Sequence, residues 1–451
     1  MSKPVLGRRG FLAAVSTGLV GAAALPGISA DGEVTGKGRT LALLGGEPVR
    51  KNKSWPSWPY WDENVVESVT KTTESRIWCR IQSKSGTVPT FEKEFTELLE
   101  TEFCVATGSG TQALHTCVEA LQIGPGDEVI TSPYTDPGTI AAILCARALP
   151  VLADLDPESF QLDPDDVERR VTENTKAIMP VHIMGQPCNM DRIMAIAKKH
   201  NLKVIEDACQ GHLAEYRGKK LGTIGDLGSF SFQASKTIAC GEGGAIVGSD
   251  EGLMDQCYTV HNHGTSRKGR TETIGSKYRM NEFEAAVLLG QLAGVKERFA
   301  RRNANVAYLA SKLKGFPGVV PQKLYEGTQS GAFYVYGMTY RKEHFNGASR
   351  DAFLKAVRAE GISLGPYIGQ GLHKEPWVEN ILNAKVYQRM FSGQRLKEYR
   401  EQNECPHCDQ VCQNVVAFWS SGILLGEEED MDDIINAIFK VHENRDKLPA
   451  V

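Results

Sequence analysis

Lys176-Ala-Ile-Met-Pro-Val-His182, then Met190-Asp-Arg-Ile-Met-Ala-Ile-Ala-Lys-Lys-His200, then Lys203-Val-Ile-Glu-Asp207 follow one another along the chain. The outer two runs are short, apolar and rich in β-branched residues, which suits buried strands. The middle run places Ile193, Met194, Ile196 and Ala197 near a period of 3.6 and ends on basic residues, which predicts a helix. Strand, helix, strand is the unit that builds a parallel sheet. The alternation continues on both sides. Phe103-Cys-Val-Ala-Thr107, Glu128-Val-Ile-Thr131 and Leu149-Pro-Val-Leu-Ala153 precede it, and Gly228-Ser-Phe-Ser-Phe232 and Gly244-Ala-Ile-Val-Gly248 follow. A further long helix is predicted over 282–292. Beyond about residue 300 the pattern changes to a smaller α+β lobe that closes with a helix over 431–442. The expected architecture is α/β: a large domain over 31–300, opening with an irregular aromatic arm and built on a mostly parallel central sheet, and a smaller C-terminal α+β domain over 301–451.

The chain has 451 residues, with 51 Lys and Arg against 55 Asp and Glu, and 41% of it is hydrophobic. These proportions belong to a soluble globular protein, and the near-neutral balance lacks the basic footprint that nucleic acid requires, so no nucleic-acid partner is expected. Arg8-Arg9-Gly10-Phe11-Leu12, a Gly- and Ala-rich apolar stretch over 13–25 and small residues up to Ala30 read as a twin-arginine export signal. That predicts a cleaved leader over 1–30, a periplasmic location and no stable membrane insertion afterwards. Eleven cysteines are an odd set for an oxidising compartment. Cys104, Cys145, Cys209 and Cys240 sit in apolar runs and read as buried free thiols. Cys405, Cys408 and Cys412, with His407 between them, resemble half a zinc site. Their i, i+3, i+7 spacing equally describes one packed helix face, and no metal is expected.

Two glycine-bearing turns carry the chemistry. Thr107-Gly108-Ser109-Gly110-Thr111-Gln112-Ala113 follows a strand and opens a helix, so backbone N–H groups and hydroxyls converge where a phosphate binds well. A dinucleotide site would need an acidic residue at the end of the next strand, whereas Asp127 and Glu128 precede that strand. In the second turn, Lys236 stands between the 228–232 strand and the glycines 241, 243 and 244. A lysine held in a cleft there loses proton affinity and becomes an amine nucleophile toward carbonyls. Taken alone, the segment reads as a solvated loop lysine. Asp207 changes that reading, because a carboxylate closing so apolar a strand needs a partner. A phosphate cradle, an imine-forming lysine and a buried aspartate are together what pyridoxal 5′-phosphate (PLP) requires.

With those residues in view, the chain resembles the DegT/DnrJ/StrS sugar aminotransferases, PLP enzymes of fold type I, over nearly all of 45–440. The resemblance rests on Gly124-Pro-Gly-Asp-Glu-Val-Ile130, Met179-Pro-Val-His-Ile-Met-Gly-Gln186, Val204-Ile-Glu-Asp-Ala-Cys-Gln210, Gly241-Glu-Gly-Gly244 and Tyr278-Arg-Met-Asn-Glu-Phe283. The Trp-Pro-Ser-Trp-Pro start at Trp55, Ser231-Phe-Gln233 and Gly275-Ser276 look like the branch that contains 3-amino-5-hydroxybenzoate synthase and the glutamine:scyllo-inosose aminotransferases. The resemblance implies that Lys236 binds the cofactor covalently and shuttles the substrate proton, and that Asp207 pairs with the pyridine nitrogen. It also implies that Gln210 lies beside the ring and that Ser109, Gly110 and Ser231 hold the phosphate. Lys277 stands where the family has an asparagine that reaches the phosphate of a neighbouring subunit. His182 and Arg279 are candidate substrate contacts, with a buried structural role equally open for His182. A homodimer with shared sites, glutamate or glutamine as donor and a keto-sugar or keto-cyclitol as acceptor complete the expectation.

One departure keeps alternatives in view. Where the family has an aromatic that stacks on the cofactor, this chain reads Tyr134-Thr135-Asp136-Pro137. A PLP-dependent dehydratase or isomerase on the same scaffold, and an exported binding protein that no longer turns over, are the other readings. The related dehydratases replace the lysine by histidine, so Lys236 favours transamination.

Overall fold

The computed structural model describes residues 40–448, so the proposed leader and the export expectation attached to it lie outside the described residues. The strands run β1 (Phe103–Thr107), β2 (Glu128–Thr131), β3 (Leu149–Leu152), β4 (Thr175–Met179), β5 (Lys203–Asp207), β6 (Glu215–Tyr216), β7 (Lys219–Lys220), β8 (Leu227–Ser231) and β9 (Gly244–Gly248). Seven of them form one sheet in the order β1-β9-β8-β5-β4-β2-β3. The stretch from β8 to β3 is parallel, and β9 pairs antiparallel with both β8 and β1. The expected α/β architecture is therefore present, with β1, β2, β5 and β9 at their predicted bounds.

Alternation along each strand splits the interior into two layers. Cys104, Ile130, Ile178, Val204 and Val247 face one cluster. Their neighbours Val105, Val129, Ala177, Ile205 and Ile246 face the other. A strand buried on both faces reads as a continuous apolar run, which is why these segments stood out. Helix α1 (Glu63–Ser75) precedes α2 (Thr87–Leu99), which lays Val88, Phe91, Phe95 and Leu99 on the first layer. Helix α3 (Gly110–Ala120) covers the second layer with Ala113, Leu114, Cys117 and Val118, beside α4 (Pro137–Cys145). The helix Met190–His200 matches its prediction. The Asn189 side chain accepts from the Arg192 N–H at its start, and Asn201 ends it in the left-handed region at φ 53°.

The small lobe carries β10 (Val319–Pro321), β12 (Val335–Tyr340) and β13 (Val415–Trp419) as an antiparallel sheet. The strand between the first two, β11 (Thr328–Ser330), pairs with β6 instead. The last helix begins earlier than expected, at Glu428, because Glu427 and Asp430 form a capping box. The expected division at residue 300 is crossed twice. Leu41, Val49 and Trp55 pack into the small-lobe core, where Arg50 bonds Asp430 at 2.7 Å and Asp433 at 2.8 Å. In the other direction, Tyr387 and Tyr399 donate to the carbonyls of Ala148 and Pro150, and Arg395 meets the fully buried Glu128 at 2.6 Å. Glu128 is thus a structural anchor, in keeping with its place at the wrong end for a ribose contact.

Cys405, Cys408 and Cys412 are buried along the helix Pro406–Asn414 and pack beside Tyr134 and Leu155. All eleven cysteines are free. Cys104 is buried as expected, but Cys145 is exposed at the end of α4, and Cys209 and Cys240 are only half-buried. An apolar run on an amphipathic helix still has an outer face.

Two buried histidines make the fold sensitive to acid. His212 stacks on Phe230 and Phe232, and burial, reinforced by Lys236 and Arg302, pulls it down to about 3. His261 is likewise pulled to about 3, by burial and then by Arg80. Each binds a proton more readily unfolded, so its contribution is intact above about pH 6.5 and is lost as pH falls toward 3. In urea unfolding between pH 6 and 5, His212→Asn should flatten the fall in stability by about 1.4 kcal/mol per pH unit relative to the parent chain.

Candidate active site

The carboxyl ends of the parallel strands open onto a cavity of about 380 Å³. That is the place where ligands bind in open α/β sheets. Strand β5 ends there in two carboxylates that point to opposite sides. Glu206 is fully buried and accepts the N–H groups of Gly222, Ile224 and Gly225, with His182 at 2.9 Å. Asp207 turns toward the cavity, where the Thr139 hydroxyl donates to it at 2.7 Å and the Cys209 N–H at 3.2 Å.

Lys236 lies on the loop between β8 and β9. That loop is laced by Phe232 N–H to the Gly243 carbonyl (2.8 Å), Ala234 N–H to the Gly241 carbonyl (2.9 Å) and Lys236 N–H to the Gln233 carbonyl (2.8 Å). Gly241 sits at φ 101°, which strongly favours glycine. The neighbours brace the loop from outside: the Trp58 indole donates to the Ala234 carbonyl and the Ser421 hydroxyl to the Ser235 carbonyl. Lys236 is 9% exposed, and its ammonium lies 4.2 Å from the centre of the Tyr334 ring and makes no hydrogen bond or ion pair among the described residues. Burial lowers its proton affinity below the usual lysine range, partly offset by Cys209, Asp207 and Asp136. An amine held this way is prepared for attack on a carbonyl.

Facing the lysine loop is the start of α3. Ser109 caps it by accepting from the Gln112 N–H, and the first N–H groups of the helix have no intrahelical acceptor. Ser109, Gly110, Thr111, Ser231 and Gln233 line this end of the cavity. A Cβ on Gly110 would lie 2.7 Å from the Ser231 Cβ, and one on Gly244 would fall on the Ser109 carbonyl. The two glycine-bearing turns are therefore packed directly on each other.

Of the residues singled out from the sequence, Ser109, Gly110, Asp207, Gln210, Ser231 and Lys236 meet in this cavity. Gln210 accepts from the Met184 N–H and donates to the Tyr367 hydroxyl. Three others stand apart within one chain. His182 is fully buried behind Glu206, accepting the Cys188 N–H on Nδ1, and serves the fold rather than the cavity. Arg279 donates to Asn262, and Lys277 is exposed; neither lines the cavity. Asp136 does line it, as the N-cap of α4, whereas Tyr134 is fully buried in a separate cluster and cannot supply a stacking face. Thr139, Tyr334 and Trp419 also line the cavity and had not been expected. Thr139 lies in the first turn of α4 with no motif to mark it, and the two aromatics arrive from the small lobe, Tyr334 just ahead of β12 and Trp419 at the end of β13, where the sequence shows only a β pattern.

A family model described as the DegT/DnrJ/EryC1/StrS aminotransferase family matches residues 59–438. The chain is 33% identical over 426 residues to the L-glutamine:2-deoxy-scyllo-inosose aminotransferase of Micromonospora echinospora, covering 90% of this chain and 99% of that one. It is 32% identical over 425 residues to the L-glutamine:scyllo-inosose aminotransferase of Streptomyces griseus, covering 90% and 98%. The crystal structure of 3-amino-5-hydroxybenzoic acid synthase superposes with a TM-score of 0.74 at 26% identity, over 88% of this chain and all of that one. The chain belongs to the DegT/DnrJ/EryC1/StrS aminotransferase family, and it is a PLP-dependent aminotransferase of fold type I. The cavity fits that cofactor on its own terms: helix N–H groups and hydroxyls suited to a phosphate, an unpartnered buried amine and a buried carboxylate all line it.

The packing of Gly244 against Ser109 gives a direct check. Gly244→Ala pushes backbone against backbone, where no flexible side chain can yield, so it should cost about 1–3 kcal/mol of stability. It should also weaken PLP binding by about tenfold or more in absorbance titrations, by displacing the α3 turn.

Proposed function

We propose that this aminotransferase moves the amino group of glutamine to a keto-cyclitol, and that two copies share their active sites. The observation that carries the chemistry is the partnerless, buried Lys236 amine in one cavity with the Asp207 carboxylate. The donor and acceptor rest on the relatives, whose names specify L-glutamine and scyllo-inosose ketones.

In this reading the chain's own groups divide the work. Ser109, Ser231 and the first N–H groups of α3 would bind the phosphate of PLP. Asp207, kept in position by Thr139, would hold a proton on the pyridine nitrogen. When bound, the cofactor supplies an electron sink for the substrate carbon that loses its proton. Lys236 would carry that proton, since a desolvated amine accepts and returns it near neutral pH. Tyr334 steadies the amine through its ring face and anchors its hydroxyl on Ser235 at 2.7 Å. Gln210 and Tyr367 form a hydrogen-bonded edge beside Asp207. Lys236 supports transamination over the dehydratase reading, and the presence of Lys236 and Asp207 in one cavity gives no support to a site that has lost turnover.

Pairing of two copies is supported by the segment that does not reach its own cavity. Ile274 is 89% exposed, and Trp78 and Ile81 are also large exposed apolar groups. The neighbouring Lys277 is an exposed cation suited to a second subunit's phosphate site.

Purified protein reconstituted with PLP should show a visible band that bleaches on adding glutamine, and Lys236→Ala should show neither the band nor the response. A mixture of Lys236→Ala with Lys277→Glu, each inactive alone, should regain up to about a quarter to a half of the activity on subunit exchange if Lys277 acts across the interface. Mixtures that stay inactive would place Lys277 outside the partner's site.

A further inference from the structure

The aromatic arm ahead of α1 is met by an arginine at three of its rings. Arg50 lies 3.6 Å from the centre of Trp55, Arg302 5.1 Å from Trp58 and Arg298 4.2 Å from Tyr60. Arg298 and Arg302 stand one turn apart on the helix Val295–Leu313 and so share one of its faces. Arg302 is the unusual member. It is 1% exposed and forms no ion pair among the described residues. Its Nε and Nη2 donate to a single acceptor, the Ser421 carbonyl, at 3.2 and 2.8 Å. Burial and the nearby charge of Arg298 both oppose its protonated form. A buried cation without a carboxylate destabilises a fold, and an apolar side chain of similar volume would fill the space without that penalty.

The two groups that this guanidinium holds are the two that brace the lysine loop. Trp58, against its face, donates through the indole N–H to the Ala234 carbonyl at 3.1 Å. Ser421, whose carbonyl it binds, donates through its hydroxyl to the Ser235 carbonyl at 2.7 Å. Ala234 and Ser235 immediately precede Lys236. The arm and the segment at Ser421 also pack without slack: a Cβ on Gly422 would lie 2.7 Å from the Pro56 carbonyl and 3.2 Å from the Trp58 Cβ. We infer that Arg302 is a positioning residue for Lys236, fixing through Trp58 and Ser421 where the lysine amine stands in the cavity. Arg302 itself does not line that cavity, and it bears on the reaction only through the reading proposed above, in which Lys236 holds the cofactor and carries the proton. A guanidinium suits the task because its planar fork keeps two donors on one carbonyl while its flat face stays against a ring. With the fork removed, the carbonyls of Ala234 and Ser235 lose their fixed donors and the loop relaxes toward the open side of the cavity. Lys236 then regains water and, with it, proton affinity.

The test reads the Lys236 amine directly, in the full chain freed of cofactor. Acetic anhydride modifies the unprotonated amine, and mass spectrometry of the peptide containing Lys236 gives the pH midpoint of its reactivity. Arg302→Met should raise that midpoint by about half to one pH unit, which is about three- to tenfold less reactive amine at pH values below it. Arg302→Lys, which keeps the charge and one donor, should raise it less. Trp58→Phe and Ser421→Ala each delete one brace and leave Arg302 in place, so each should reproduce part of the rise. Leu309→Ala opens a cavity in the small-lobe core on the same helix. It should lower stability and leave the midpoint within about 0.2 unit of the parent, which separates positioning from general loosening. An unchanged midpoint in Arg302→Met, or an equal rise in Leu309→Ala, would overturn the inference. Should Arg302→Met not fold, unchanged midpoints in both Trp58→Phe and Ser421→Ala would do the same. Neither cofactor nor glutamine is present, so the result is independent of the reaction assigned to the amine. The visible band of PLP-treated Lys236→Ala tests that reading on its own, and a band that persists there would remove it.

Discussion

Two adjacent carboxylates at the end of one buried strand constrain everything around the site. Glu206 and Asp207 follow Val204 and Ile205, which are fully buried, so neither charge is in reach of bulk water without help. The pleat sends them to opposite sides. Glu206 recruits three backbone N–H groups from the turn at 222–225 and a histidine from the end of β4. That arrangement fixes the loop that leads into β8 and hence to Lys236. Asp207 recruits a hydroxyl from α4, which brings that helix, with Asp136 at its cap, to the cavity wall. The functional carboxylate and its silent neighbour thus organise the two sides of the site by the same requirement, that a buried charge be fully bonded.

The glycine-rich loop beyond Lys236 follows from a second constraint, the close passage of β9 over the start of α3. Gly244 lies where any side chain would meet the Ser109 carbonyl, and Gly110 where one would meet Ser231. The turn that opens α3 and the lysine loop are therefore one packed unit, and a movement of either is felt by the other. The small lobe completes it from outside through Ser421, Tyr334 and Trp419, all on or beside the β12–β13 pair.

The parts of this that were legible in the sequence are those governed by local rules. β1, β5, β9 and the helix Met190–His200 coincide with their predicted bounds because burial on both faces and a 3.6-residue period leave plain patterns. Ser109, Asp207 and Lys236 stood out because phosphate, pyridine nitrogen and carbonyl each demand a particular chemistry at a strand end, and the structure brings the three to one cavity. Contacts made across hundreds of residues were not. Nothing near Glu128 announces Arg395, and nothing near Leu41 announces the small-lobe core. His182 left two readings open because a histidine next to an active-site strand looks alike whether it faces ligand or a buried glutamate, and the structure gives it the buried role. Its partner, Glu206, stands beside Asp207 in the Val204–Gln210 motif, and strand alternation alone puts Glu206 on the far side from Asp207.

Asp136 shows why a site can be recognised while its ligand stays open. The cofactor end of the cavity is built from backbone N–H groups, a lysine and an aspartate, which many acceptors would use alike. Acceptor choice depends on what faces the opening, and there one residue, Asp136, both caps α4 and lines the cavity. Aspartate is a favoured cap for α4, beginning as it does with Pro137, so local helix physics accounts for one of its oxygens. It does not account for the other. Serine or asparagine would cap as well without placing a charge near Lys236, so the choice of aspartate sets the lysine's proton affinity as well as the helix start, by offsetting part of the lowering that burial imposes.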